Sequence, residues 1–301
     1  MYFLSVILLT LSLMLPSTIG ARPRNKPGTA DKAKGSAKHK KGAPGKGGTA
    51  SKTQPAAKKP GTHRPKASKR LSKKEFRNVH GGTHWRIVTA HGPVHVWIPR
   101  GYKRKTAGIV IYIHGYHSDV DQAWKQYNLP RQFRKSRQNA IFIVPEAPQG
   151  KDDTVKWNSL KHLKKAVTKA NIRLPNGPTV VIGHSGAFRT IVQWVNARLL
   201  KQIILLDAMY GGQSFFDQFI KKKITKLVIV GSDTAQASTQ FLKKYPYAAV
   251  RKNIPASFNR FTKRQKRAKL FYMKSQYGHG QIVRNEKVIP LLLRLTPLRH
   301  L

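Results

Sequence analysis

Ser185, in Gly183-His184-Ser185-Gly186-Ala187, stands where an apolar β-branched run, Pro178-Thr179-Val180-Val181-Ile182, gives way to a helix-like segment. A serine hydroxyl is a weak nucleophile. It becomes useful when a tight strand-to-helix turn holds it clear of a sheet, where a base can reach it and a helix N-terminus faces the developing oxyanion. Small neighbours permit such a turn, and Ala187 takes the place of the last glycine in the Gly-x-Ser-x-Gly pattern. Two apolar runs downstream end in carboxylates, Gln202-Ile203-Ile204-Leu205-Leu206-Asp207 and Lys226-Leu227-Val228-Ile229-Val230-Gly231-Ser232-Asp233. The loop Ser275-Gln276-Tyr277-Gly278-His279-Gly280 then presents a histidine between two glycines. Upstream, Ile109-Val110-Ile111-Tyr112-Ile113 ends in His114-Gly115-Tyr116, where the backbone N–H of Tyr116 can pair with that of Gly186 to hold an oxyanion. Nucleophile, acid and base in this order, with two donors, are the parts of an acyl-transfer site.

These residues need a scaffold that brings strand ends together. The runs before Ser185, Asp207 and Asp233, and Lys269-Leu270-Phe271-Tyr272-Met273, read as buried parallel strands. Lys161-His162-Leu163-Lys164-Lys165-Ala166-Val167 has the apolar spacing of a sheet-covering helix with a basic outer face. The alternation of strand and helix implies a parallel sheet. Ahead of it, His84-Trp85-Arg86-Ile87-Val88 and Val94-His95-Val96-Trp97-Ile98 flank His91-Gly92-Pro93, a hairpin signature.

From about Thr83 to the C-terminus the chain resembles the α/β-hydrolase superfamily. The resemblance implies an α/β fold with a mostly parallel eight-stranded sheet and helices on both faces. It makes Ser185 the nucleophile, His279 the general base, and the N–H groups of Tyr116 and Gly186 the oxyanion hole. The family usually takes its acid after the penultimate core strand, which selects Asp233, and in some members from the strand before, which selects Asp207; Asp233 is slightly favoured. Gly183-His184-Ser185-Gly186-Ala187-Phe188-Arg189 with Leu205-Leu206-Asp207-Ala208-Met209-Tyr210-Gly211 is also similar to a group of uncharacterised secreted bacterial hydrolases, which keeps Asp207 in contention.

Other residues are candidates for substrate contact. His117 lies close to Tyr116, and Trp157 follows a loop beyond the strand Ala140-Ile141-Phe142-Ile143-Val144. Arg189, one helical turn after Ser185, either binds a substrate carboxylate or pairs with an acid. Nine carboxylates lie beyond residue 75, and Asp119, Asp121, Glu146, Asp152, Asp153, Asp207 and Asp233 all follow expected strand ends. That edge binds ligands in open α/β sheets, so they either cap helices and turns or recognise an amine or a divalent cation. His114 and His184 read as packing residues of the two site loops. No metal-ligand histidine spacing, phosphate loop or dinucleotide fingerprint occurs, so neither metal nor cofactor is expected.

The charge divides the chain. Residues 22–75 hold 18 Lys or Arg against Asp31 and Glu75, a net of +16, among Gly, Ala, Pro, Ser and Thr. Such a segment cannot bury enough surface to order itself and reads as a disordered basic arm. Residues 76–301, the expected hydrolase domain, still carry +31. A body this basic points to an anionic polymer or membrane surface as partner, with nucleic acid bound only non-specifically. Residues 1–21 combine an apolar run with small residues after Pro16 and read as a signal peptide, implying a secreted or periplasmic protein. Lys and Arg follow that run and none precedes it, so an uncleaved anchor is the lesser alternative. The absence of cysteine excludes a thiol nucleophile and disulfides. A secreted serine hydrolase acting on a small acyl or peptide substrate is the leading expectation. The rivals are a non-catalytic polyanion-binding protein on the same scaffold and, with the leader uncleaved, cytoplasmic nucleic-acid association.

Overall fold

The computed structural model describes residues 71–301, so the expected signal peptide and all but the end of the arm lie outside the described residues. Ten strands form one sheet: β1 Ser72–Val79, β2 Gly82–Thr89, β3 Gly92–Pro99, β4 Gly108–Ile113, β5 Ala140–Pro145, β6 Thr179–His184, β7 Leu200–Leu206, β8 Lys226–Gly231, β9 Ala249–Arg251 and β10 Leu270–Lys274. Their order is β1-β2-β3-β5-β4-β6-β7-β8-β10-β9. The first three run antiparallel, and β5 through β9 are parallel. Setting aside the outermost strands, β1 and β9, eight strands remain, and the architecture is that of the α/β-hydrolase fold.

The two further strands escape a pattern search for physical reasons. β9 has three residues. β1 begins Ser72-Lys73-Lys74-Glu75, which looks like the end of the charged arm, yet these residues pair in the sheet. Charged side chains are ordinary on an edge strand, where they discourage further pairing. Glu75 is held there by Trp85 Nε1, which donates to it at 2.9 Å from β2.

The central strands are buried on both faces, as parallel sheets require. In β4, Ile109, Ile111 and Ile113 enter one core while Val110 and Tyr112 enter the other. Helices α3 Leu160–Lys169, α4 Phe188–Val192, α5 Gln213–Lys221 and α6 Ala235–Leu242 supply the first core. Helices α1 Val120–Gln126 and α2 Leu129–Ser136, with Ile282, Val283 and the C-terminal apolar turn Val288–Leu293, supply the second. The hairpin expected at residues 84–98 is β2 and β3, and the helix expected at residues 161–167 lies within α3. No helix among the described residues is long and apolar enough to cross a membrane.

Candidate active site

Ser185 follows β6 at the turn into α4 and has φ of +54°. A side chain in this left-handed region costs free energy, and such residues collect at functional turns. Close packing makes the turn tight: a Cβ at Gly183 would meet that of Ala187 at 2.9 Å. Ala187 is fully buried there, which explains how alanine serves in the last position of the motif.

The loop after β4 lies against this turn. A Cβ at Gly115 would fall 2.6 Å from the Ser185 Cβ, and one at Gly186 would overlap the Tyr116 ring. The expected oxyanion residues thus flank the serine. His117 commits its N–H to Gln149 O at 2.8 Å, whereas the Tyr116 N–H has no acceptor among the described residues. The fully buried His114 steadies the loop from behind, with Nδ1 donating to Gly115 O at 2.8 Å and Nε2 accepting from Ala147 N at 3.0 Å.

The residues expected as acid and base meet beyond the ends of β7 and β10. His279 Nδ1 lies 2.6 Å from Asp207 Oδ2, and Asp233 Oδ2 is 3.8 Å from the same nitrogen. The leaning toward Asp233 is thereby corrected. Asp207 is wholly buried at the end of β7, while Asp233 is 59% exposed. Asp207 has φ of +48°, and its carboxylate accepts from the N–H groups of Ser232, Asp233 and Thr234 and from Thr234 Oγ1. Burial raises the Asp207 pKa, but the hydrogen bonds from His279, Thr234 and Ser232 outweigh it and hold the carboxyl well below the usual range. His279 moves the other way: its hydrogen bond to Asp207 raises its pKa against the effect of burial, with the charges of Asp207 and Asp233 adding to the rise.

His184 links the two halves. Its Nε2 donates to His279 O at 3.1 Å and its ring lies 4.5 Å from the His279 ring. Burial and the neighbouring His279 push it down to about 4, so it stays neutral at pH 7 and acts as an anchor. No hydrogen bond joins Ser185 Oγ to His279 in this structure. Catalytic hydrogen bonds in hydrolases without substrate are often long and tighten when substrate binds. Asp207, Asp233 and His279 could together offer three donors to a cation. The Asp207 oxygens already accept five protein hydrogen bonds, which suits holding a histidine better than ligating a metal.

Two expected substrate contacts are corrected. Trp157 is 1% exposed, in the core beneath α3, with its carbonyl accepting from Trp194 Nε1 at 2.8 Å. The cavity it borders, about 780 Å³, is not lined by Ser185, Asp207 or His279. Arg189 binds neither a carboxylate nor an open cleft: its guanidinium donates to the carbonyls of Gly150, Lys151 and Asp153 and to Tyr116 Oη at 3.3 Å. It pins the 150–153 loop and braces Tyr116. His117 remains exposed beside the oxyanion loop.

The acidic edge also resolves into mostly structural roles. Asp119 caps α1, Asp121 holds Arg86 and His95, Glu146 contacts His114, and Asp153 closes a turn onto Gln149 N. Sequence reasoning missed Thr234 and Tyr210. Tyr210 is half exposed, with Oη 3.5 Å from His279 Nδ1, and burial with the charges of Asp207 and Asp233 pushes its phenol up to about 12. Its place three residues after Asp207 was the available signal.

The raised His279 pKa has a direct kinetic consequence. With His279 as the expected general base, which works unprotonated, kcat/KM for a small ester is expected to rise through a pKa above the ordinary histidine value of 6.5. Asp207→Asn will move this limb to lower pH, because the group that raises the pKa is gone. A pH profile of both proteins checks this; coincident limbs would separate Asp207 from His279.

Fold and site geometry together define the class of this chain as an α/β-hydrolase fold with a serine elbow and an Asp–His pair at its sheet edge. No family model and no curated protein matches the sequence. Solved structures similar to it include S-formylglutathione hydrolase from Agrobacterium tumefaciens, at 10% identity, TM-score 0.45, covering 74% of this chain and 99% of that one. The S-formylglutathione hydrolase of Staphylococcus aureus gives 10%, 0.44, 73% and 98%. An esterase of Pyrobaculum calidifontis gives 10%, 0.43, 74% and 82%.

Proposed function

We propose that this protein is a serine hydrolase that cleaves an ester or amide through an acyl-enzyme. One observation carries the reading: Ser185, strained at φ +54°, shares one sheet edge with His279, which is hydrogen-bonded to the buried Asp207 and remains partly exposed. Ser185 Oγ attacks the substrate carbonyl while His279 Nε2 takes its proton, and the N–H groups of Tyr116 and Gly186 bind the oxygen as it becomes negative. The tetrahedral intermediate collapses, the leaving group departs with the proton from His279, and Ser185 is left acylated. Water, deprotonated by His279, then attacks the acyl carbon; collapse breaks the bond to Ser185 Oγ, which recovers its proton from His279, and the carboxylic acid leaves. Asp207 keeps His279 in the tautomer with Nδ1 protonated and stabilises the imidazolium in each half.

The basic arm and body support an anionic polymer or surface as the setting, and the apolar start of the sequence supports a secreted or periplasmic location. The test is rapid mixing with a chromogenic ester of small neutral acyl groups. An acyl-enzyme predicts a burst of released alcohol close to one equivalent per protein whenever deacylation is slower. Hydrolysis with no burst and no trapping of acyl-protein on acid quench would overturn the covalent route. Deleting residues 22–70 should leave this turnover unchanged, because screening acts on long-range charge while the site acts at contact distance.

A further inference from the structure

At the end of the sheet opposite Ser185 lies a groove of about 520 Å³, between the starts of β6, β7, β8 and β10 and the C-terminal segment. Its walls carry Lys201, Lys223, Lys226, Lys266, Arg267 and Lys269, and no carboxylate lines it. Its floor holds an unmet need. Gln202 is fully buried in β7, lines the groove, and has no hydrogen-bond partner for either amide atom. Buried polar groups are normally paired, and an orphan that borders a cavity is a sign of a missing partner. Beside it, in register on β8, Lys226 donates to the carbonyls of Lys266 and Leu295. Burial pushes its ammonium down to about 8, the condition of a cation with no anion next to it.

From this cluster we infer that the groove is a binding site for the phosphate groups of a linear polyanion. Five of the six cations are lysines, compact point charges suited to phosphate; a site built for planar carboxylates favours the arginine fork. No aromatic side chain lines the groove, so the stacking that holds nucleic-acid bases is missing and the polymer is read through its phosphates alone. Concavity favours a chain over a flat bilayer. The site deepens the anionic-polymer part of the proposed function and is independent of its acyl-transfer part. Strands of six residues separate groove and serine by roughly 20 Å, so a polymer held in the groove leaves the catalytic edge free.

Binding of the full-length chain to inorganic polyphosphate, measured across a salt series, tests the site. Lys201→Gln with Lys223→Gln and Lys269→Gln will lower the slope of log affinity against log salt by about 2. A control with Lys73→Gln, Lys105→Gln and Lys161→Gln, on other surfaces, will change it far less. Gln202→Met will weaken binding with the slope unchanged. In the unaltered protein, bound polyphosphate will protect Lys223 and Lys269 from acetylation, a readout that needs no variant. Equal losses in the two triple variants, or no protection, would mean diffuse charge attraction and overturn the site. Equal groove dependence with polyglutamate would overturn the phosphate assignment. Stronger groove-dependent binding to phosphatidylserine vesicles or to single-stranded DNA would replace the polymer with a membrane or a nucleic acid. Each of these readings stands apart from ester turnover, so failure of the hydrolase reading leaves the test intact.

Discussion

Asp207→Asn is expected to lower kcat for a small ester by about 10⁴, the loss that the same substitution causes in the serine protease triad. An asparagine keeps the shape but presents an amide that cannot accept the Nδ1 proton as a carboxylate does. His279 then loses the tautomer and the charge that make it a base. The five donors now satisfied by Asp207 would also face a group with half the accepting capacity. Asp233→Asn is expected to stay within about fivefold, the scale of an exposed charge interaction. Steady-state kinetics on the three proteins decides between the carboxylates: a large loss at Asp233 with a small one at Asp207 would return the acid to the end of β8.

The second large effect joins catalysis to strain. Ser185→Gly should reduce turnover by about 10⁶, as loss of the nucleophile does in a serine protease. The same change should raise stability by about 1 kcal/mol, because glycine tolerates the φ of +54° that serine adopts at a cost. Ser185→Ala should lose turnover equally and keep wild-type stability, since its Cβ retains the strain. Denaturant titrations with activity assays of both variants test this. A Ser185→Gly protein less stable than Ser185→Ala would mean that the elbow is not strained.

Much of this site was legible because the chemistry falls at strand ends. The β-branched run before Ser185 and the glycines around His279 marked the two residues that the fold brings to one sheet edge, and the resemblance implied their order. Choosing the acid was beyond such patterns. Asp207 and Asp233 both end apolar runs, and what separates them is burial: the left-handed turn at Asp207 aims its carboxylate at the N–H groups of residues 232–234 and at His279. Trp157 and Arg189 were misplaced for a related reason. Each lies near the site in sequence, but side-chain direction sends one into the core and the other onto a neighbouring loop. At the sheet margins, β1 and β9 lack apolar periodicity because edge strands need little of it.

The central claim is that Ser185 is an activated nucleophile, and covalent labelling with a fluorophosphonate measures this most directly. Attack by Ser185 Oγ on phosphorus expels fluoride and leaves an adduct that peptide mapping can place. One adduct is expected, on Ser185, absent in Ser185→Ala and formed far more slowly in Asp207→Asn. No adduct on the wild-type protein, or equal labelling of wild type and Ser185→Ala, would contradict it.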